Sequence, residues 1–447
     1  SDGASAFHIA RLGPDDPSAT VLPDPNVIGI SGLDELSRQV EAQVATLVYG
    51  LVGVETRPGD PVYYPLEWLR DGAYVIVALA RSGNVELAKR LALAIGGRDF
   101  FGGFGSEADA PGLSIWAMVE TSRLARSPQF DAAIWPHVRR KAEMIVQMIE
   151  TTAALSAPFS GPVVPSLAGA EGLEVYVLPP DGSGLINGKM DQHYPQFFVT
   201  AVSYLGLREA AWLAGQRGEL GAARSWTSHA DRLQATWQAA FAAGHPDRQN
   251  ERTLAAGLWP SGIADPAAFR DLLVSVETEE APPSAPRRPW TYFEVAHAHQ
   301  WLRLGQPDRA WKAMQDLYAQ SGHPGLYTLW EGPHENSFNL WDHYRGWDDD
   351  RAVEPHYWSA AEALLFAIEA LVYEDREAGT LVIGAGLLPD WLSGEIAVGP
   401  VQTGYGKVRW QWSRPVLTVW TEQSGIVVRP GSSFPKDATV RVLGWTD

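Results

Sequence analysis

Apolar residues recur with a period near 3.6 over roughly 33–53, 65–82, 85–97, 112–126, 132–155, 193–215, 219–243, 266–277, 291–304, 307–320 and 356–374, which predicts eleven helices before residue 375. That spacing lays one apolar stripe along each helix. Three junctions share a further pattern, in which Gly83, Gly218 and Gly305 end one helix and Ala88, Ala223 and Ala310 lie inside the next. Glycine takes the left-handed position that closes a helix, so each pair reads as an antiparallel hairpin with a short turn. The junctions are too unevenly spaced for a fixed-period solenoid, and a toroid of helical hairpins fits better. The long connections at 98–112, 156–192, 244–265, 279–290 and 321–355 precede the first helix of a pair and should gather at one end, where long loops carry function.

After Asp375 the period changes. LVIGAGLL, EIAVGPVQT, GKVRWQW, VLTVWTE, GIVVRP and ATVRVLGW alternate with period two between Gly, Pro, Ser and Asp. The expected organisation is a mainly α catalytic domain over 1–375 and a small C-terminal β appendage over 376–447, packed on the toroid in a structural role.

Composition narrows the partners. A formal charge of −18 speaks against nucleic acid, whose binding needs Lys and Arg against phosphates. No apolar run reaches the ~18 residues that span a bilayer, so no membrane partner is expected, and the compartment and oligomeric state are not fixed. The absence of cysteine excludes disulfides, thiolate metal sites and a Cys nucleophile. Nineteen Trp leave ample aromatic faces on which a sugar ring can stack, although most should be core.

Four stretches concentrate chemistry. YYPLEWLRDGAY places Trp68, Arg70 and Asp71 together: a stacking face, a forked donor and an ionised acceptor, suited to a sugar with several hydroxyls. FGGFGSEADAPGLSIWAM carries Glu107, Asp109 and Trp116; its glycines do not make a phosphate loop, because no Lys follows and no strand precedes. INGKMDQHYPQFF carries Lys189, Asp191 and His193, with Tyr194 and Phe197 placed to desolvate the carboxyl and raise its pKa, as a general acid requires. The densest stretch, 326–365, holds Trp330, Glu331, His334, Glu335, His356 and Trp358. For each helix-entry Asp the plainer alternative is capping.

No cofactor and no metal are expected. Asp348, Asp349 and Asp350 lack EF-hand spacing and the histidines lack H-E-x-x-H. No G-x-S-x-G follows a strand, so a serine hydrolase does not fit. Two carboxyls on opposed loops fit best: one protonates a glycosidic oxygen while the other activates water or attacks the anomeric carbon.

On these residues the chain resembles the six-hairpin glycosidases, the superfamily of glucoamylases, trehalases, processing α-glucosidases and α-L-rhamnosidases, over about 65–375. Trp68-Leu69-Arg70-Asp71 is similar to the W-x-R-D motif whose Arg and Asp bind the sugar at the −1 subsite. Phe293 to Met314, with its Leu302-Arg303-Leu304-Gly305 turn, is similar to the helix pair before the last loop. The closing GLLPDWLSGEIAVGPVQTGYGKVRWQW is similar to the C-terminal β module of rhamnosidases.

The resemblance implies an (α/α)6 barrel, Glu331 as general base and Asp191 as general acid. Glucoamylases carry Glu-Glu at the acid position; the lone Asp191 is closer to trehalases and processing α-glucosidases. The expectation is therefore an inverting glycoside hydrolase acting on an oligo- or polysaccharide, with Glu335 in reserve for the base and Glu107 or Asp109 for the acid. Trp68, Arg70, Asp71, Trp116, Lys189, His193, Trp330, His334, His356 and Trp358 would line the sugar site. The alternatives are a sugar epimerase or polysaccharide lyase with a His or Tyr base, although His297 and His299, two apart on a helix, point in different directions, or a non-catalytic carbohydrate-binding protein.

Overall fold

The computed structural model describes residues 28–61, 63–100, 102–157, 163, 173–279, 290–320, 325–332 and 353–445. In chain order its α-helices are α1 (Asp34–Tyr49), α2 (Leu69–Arg81), α3 (Val85–Gly96), α4 (Ala110–Ala125), α5 (Pro128–Glu150), α6 (Gln196–Gln216), α7 (Leu220–Ala242), α8 (Glu251–Leu254), α9 (Pro266–Glu279), α10 (Thr291–Arg303), α11 (Pro307–Gln320) and α12 (Tyr357–Leu371). The even-numbered helices form a closed inner ring: each packs on the next, and α12 returns to α2. The odd-numbered helices lie outside. This is an (α/α)6 barrel.

Burial follows the two layers. Every residue of α2 and of α12 is buried, whereas α1 buries only the stripe Leu36, Val40, Gln43, Val44 and Leu47. An outer helix has one apolar face and an inner helix has no solvent face. Gly83, Gly218 and Gly305 all have positive φ at the hairpin turns, where a Cβ would be strained. The eleven expected helices are present. The twelfth, α8, lies inside the stretch 244–265 taken as a connection: it is a single turn, capped by the Asn250 side chain, and too short to show a period.

Because the inner helices also face one another across the bore, their polar side chains must pair inside it. Arg81 donates to Glu120 at 2.8 Å and to Glu369 at 3.0 Å. His299 lies between Glu362 (2.6 Å) and Glu369 (3.2 Å). It is therefore an ion-pairing residue two turns below the helix N-termini, where a proton-transferring base of the epimerase or lyase kind would have no access to substrate.

The strands are β1 (Gly29–Ser31), β2 (Leu155–Ser156), β3 (Val175–Val177), β4 (Val372–Asp375), β5 (Thr380–Ile383), β6 (Ile396–Thr403), β7 (Gly406–Ser413), β8 (Val416–Thr421), β9 (Val427–Pro430) and β10 (Thr439–Gly444). One sheet runs β1-β6-β7-β8-β10, a second runs β4-β5-β9, and β2-β3 form a small pair in the loop before α6. The strands from β5 to β10 fall where the alternation put them, whereas β4 occupies 372–375, where the helical period runs on to 374: the last helix ends at Leu371 and the chain turns extended to pair with β5. β1 was not legible in the sequence: residues 29–31 pair antiparallel with β6, with Gly29 opposite Gly399. The β part is tied to the barrel by Trp311 Nε1 donating to the Gly386 carbonyl at 2.7 Å. Among the described residues no helix is long and apolar enough to cross a membrane.

The bore network generates a stability prediction. Arg81→Met removes a cation from between two buried carboxylates, and breaking such a pair costs about 3–5 kcal/mol. Urea unfolding should show a midpoint lowered accordingly; a midpoint equal to that of the wild type would mean that the pairs contribute nothing net.

Candidate active site

The N-termini of the inner helices and the long connections leading into them meet at one end of the barrel, around a cavity of about 340 Å³. A larger cavity of about 620 Å³ lies on the outer wall between α1, α11 and Trp391. Its carboxyls, Asp34 and Glu35, are sequence neighbours on exposed helix surface. Of these two, it is the barrel cavity that brings carboxyls of separate loops together.

Its floor is organised by Arg70, in the first turn of α2. The buried guanidinium binds Asp191 Oδ1 at 2.5 Å, Asp109 Oδ2 at 2.8 Å and Glu107 Oε2 at 3.3 Å, with Asp71 at 3.6 Å. Its flat face lies 5.2 Å from the Trp358 ring centre. Four carboxyls around one cation cannot all ionise without cost. Burial pushes Asp71 up to about 8; Arg70 opposes that rise, while Asp191 and Glu331 add to it. Burial also raises Glu107 and Asp109, again against Arg70, and the charge of Asp191 adds to both rises.

Asp191 is presented by a two-residue turn. Met190 and His193 exchange backbone hydrogen bonds of 2.9 Å in each direction. Asp191 itself sits at φ 54°, in left-handed backbone, and donates its N–H to Glu107 Oε1 at 2.8 Å. It is not a cap, because Pro195 holds the N-cap position of α6. The desolvation expected from Tyr194 and Phe197 is not how this carboxyl is held: Phe197 is directed into the outer layer, edge-on to Trp237 at 5.0 Å. Arg70 holds Asp191 instead, with Arg252 4.0 Å away on its other oxygen.

Glu331 reaches the cavity from the last loop. Its N–H donates to the Val353 carbonyl at 2.8 Å, which pins the loop's two limbs together. The Tyr64 hydroxyl donates to Glu331 Oε2. Burial pushes Glu331 up to about 7; the Tyr64 hydrogen bond resists that rise and the charge of Asp191 reinforces it.

The remaining candidates divide. Trp68, Asp71, His193 and Trp358 line the cavity with Arg70, Asp191 and Glu331. Trp116 does not; it is buried deeper, edge-on to Tyr74 and Trp259. Trp330 is fully buried behind Glu331. Lys189 turns its amine to the carbonyls of Leu173 (3.0 Å) and Phe104 (3.2 Å), tying two loops together behind the wall. His356 is buried with Nδ1 2.7 Å from Ser359 Oγ, and burial, with Arg70 adding, drives its pKa down to about 3, so it is neutral. His334 and Glu335 lie outside the described residues, as do Asp348, Asp349 and Asp350. Among the described residues no cluster of His, Asp and Glu is arranged to hold a metal ion.

Residue-by-residue reading missed Tyr64, Phe104, Arg252, Trp290 and Phe293, which also line the cavity. Tyr64 lies in the stretch that drew attention to Arg70, but nothing in that stretch pairs it with a glutamate 267 positions away. Arg252 belongs to the one-turn helix that has no period. The glycines before α4 are explained by packing: a Cβ on Gly103 would fall 2.0 Å from the Trp68 ring, and one on Gly102 would fall 2.5 Å from the Glu107 carboxylate.

No protein-family model and no curated protein matches this chain. Solved structures do. The chain aligns with a GH78 family rhamnosidase of Bacillus sp. GL1 at TM-score 0.59 and 15% identity, over 95% of this chain and 44% of that one. It aligns with a wild-type glycosidase at TM-score 0.53 and 14% identity, over 75% of this chain and 98% of that one. A bacterial glucoamylase complexed with acarbose follows at TM-score 0.50 and 12% identity, over 77% and 57%. The chain thus spans less than half the length of the rhamnosidase. Identities this low establish the shared fold, the six-hairpin (α/α)6 barrel.

Arg70→Met tests the cluster. Carboxyls whose folded-state pKa is raised add stability that is complete below their unfolded values near 4 and is lost as pH rises through the folded ones. Removing Arg70 raises Glu107 and Asp109 further, so the variant's deficit in melting temperature should widen from pH 5 to pH 9. A deficit independent of pH would remove Arg70 from that role.

Proposed function

We propose that this chain is an inverting glycoside hydrolase in which Asp191 is the general acid and Glu331 the general base. The observation that carries the reading is that these carboxyls, from the loops before α6 and α12, face one aromatic-walled cavity. The shared barrel of a rhamnosidase, a glycosidase and a glucoamylase supports the same reaction class by analogy of fold.

In this scheme the sugar ring lies against Trp358 and Trp68, with its hydroxyls on Asp71. Asp191 gives its proton to the glycosidic oxygen as the bond from that oxygen to the anomeric carbon breaks. Water attacks the opposite face, and Glu331 takes the proton that water releases. The crowd of carboxyls around Arg70 keeps protons in the floor near neutral pH, because Asp71, Glu107 and Asp109 all resist ionisation. Tyr64 fixes the Glu331 carboxylate as an acceptor. Inversion requires about 6.5–9.5 Å between the carboxyls, room for one water.

Asp191→Asn and Glu331→Gln should each lower kcat by about 10²–10⁴-fold while sugar binding persists. Following the product anomer by NMR across a panel of disaccharides reports substrate and stereochemistry together. Retained turnover in both variants would remove the pair.

Tyr64→Phe isolates the base. Glu331 must be ionised to accept a proton, so kcat/KM should rise with pH through its value near 7. Loss of the Tyr64 hydroxyl withdraws a hydrogen bond that favours the carboxylate, and the acid limb should move to higher pH. A limb that stays in place would assign it to another group.

A further inference from the structure

Arg252 stands in α8, the reduced inner helix, and its largely buried side chain (17% exposed) reaches the cavity beside Asp191. Its guanidinium lies 5.6 Å from the ring centre of Phe293. Among the described residues its nearest carboxylates are Asp191 at 4.0 Å and Glu251, well exposed, at 3.6 Å. Both are beyond hydrogen-bond length, and among the described residues the buried Nε has no hydrogen-bond partner. Arg70, by contrast, spends its guanidinium on the floor carboxyls. Arg252 therefore offers the cavity a desolvated cation with open N–H donors.

Such a group is costly unless a ligand fills it, and its planar fork fits a planar oxyanion that accepts two hydrogen bonds in parallel. Position decides which part of the substrate can bring that oxyanion. A carboxylate on the sugar at the floor would meet Asp71 and Glu331. One on the departing group, next to the proton donor Asp191, would meet Arg252, with His193 and Trp290 lining the same cavity. We propose that this site selects glycosides whose leaving group carries a carboxylate, and that Arg252 is the residue that reads it. The inference rests on the assignment of Asp191 as the acid.

The test uses two aryl glycosides of whichever sugar the panel shows to be cleaved, one with a 4-carboxyphenyl and one with a 4-carbamoylphenyl leaving group. The two are nearly isosteric and differ in charge. Wild type should favour the carboxylate by at least about tenfold in kcat/KM, by the worth of one charge-assisted hydrogen bond. Arg252→Met should bring the ratio to about one, and Arg252→Lys, which keeps the charge but not the fork, should fall between. A wild-type ratio near one, or a ratio unchanged in Arg252→Met, overturns the proposal.

If the disaccharide panel shows no sugar to be cleaved, the hydrolase reading fails and the selectivity is decided by calorimetry alone. 4-Hydroxybenzoate should then bind wild type at least about tenfold more tightly than 4-hydroxybenzamide, by the same hydrogen bond. Equal affinities overturn the proposal.

Discussion

One buried guanidinium governs this molecule. Arg70 draws carboxyls from the first turn of α2, from the N-terminal approach to α4 and from the loop before α6 onto a single cation. Each carboxyl would be expensive to bury alone, and together they exceed what one positive charge can neutralise. The excess leaves the cluster as a set of carboxyls that hold their protons unusually far up the pH scale. The same interaction fixes loops that have little regular structure of their own, so the electrostatics of the site and its geometry share one cause.

A second charged network occupies the bore below it. Arg81, Glu120, His299, Glu362 and Glu369 are paired within the barrel, and Arg376, from the turn after β4, closes on Glu120 at 2.7 Å. The contrast with the cavity is physical. In the bore cations and carboxylates are matched, and Glu120 and Glu369 are held far below the usual carboxylate range despite their burial. At the helix N-termini carboxyls outnumber cations, and the balance tips toward neutral acids. One end is set for cohesion, and the other holds the carboxyls for which proton transfer is proposed.

The barrel alone would not distinguish these ends, nor assign an activity, since one fold hosts many reactions. The functional reading comes from the site: two carboxyls on independent loops, one gripped by Arg70 and one by Tyr64, in a cavity lined by aromatic side chains. Arg252 adds what the fold does not dictate, a guanidinium beside Asp191 in the same cavity.

The sequence by itself determined eleven of the twelve helices, their pairing into hairpins and the end at which the loops collect, and it named Trp68, Arg70, Asp71, Asp191 and Glu331 among its candidates, which the fold brings to one cavity. All of these follow from local rules: the 3.6 period, glycine at helix ends, and clustered polar residues in long connections. Tertiary structure decided what those residues do. Trp116, Trp330 and Lys189 carry the same side-chain chemistry as the cavity residues but face core or backbone, because the direction of a loop side chain is set by packing rather than by spacing. Tyr64 meets Glu331, Arg252 meets Asp191 and β1 meets β6 across separations that no local pattern encodes. The pKa values at the cavity belong to the same category: desolvation and crowding of charge exist only once the chain has closed on itself.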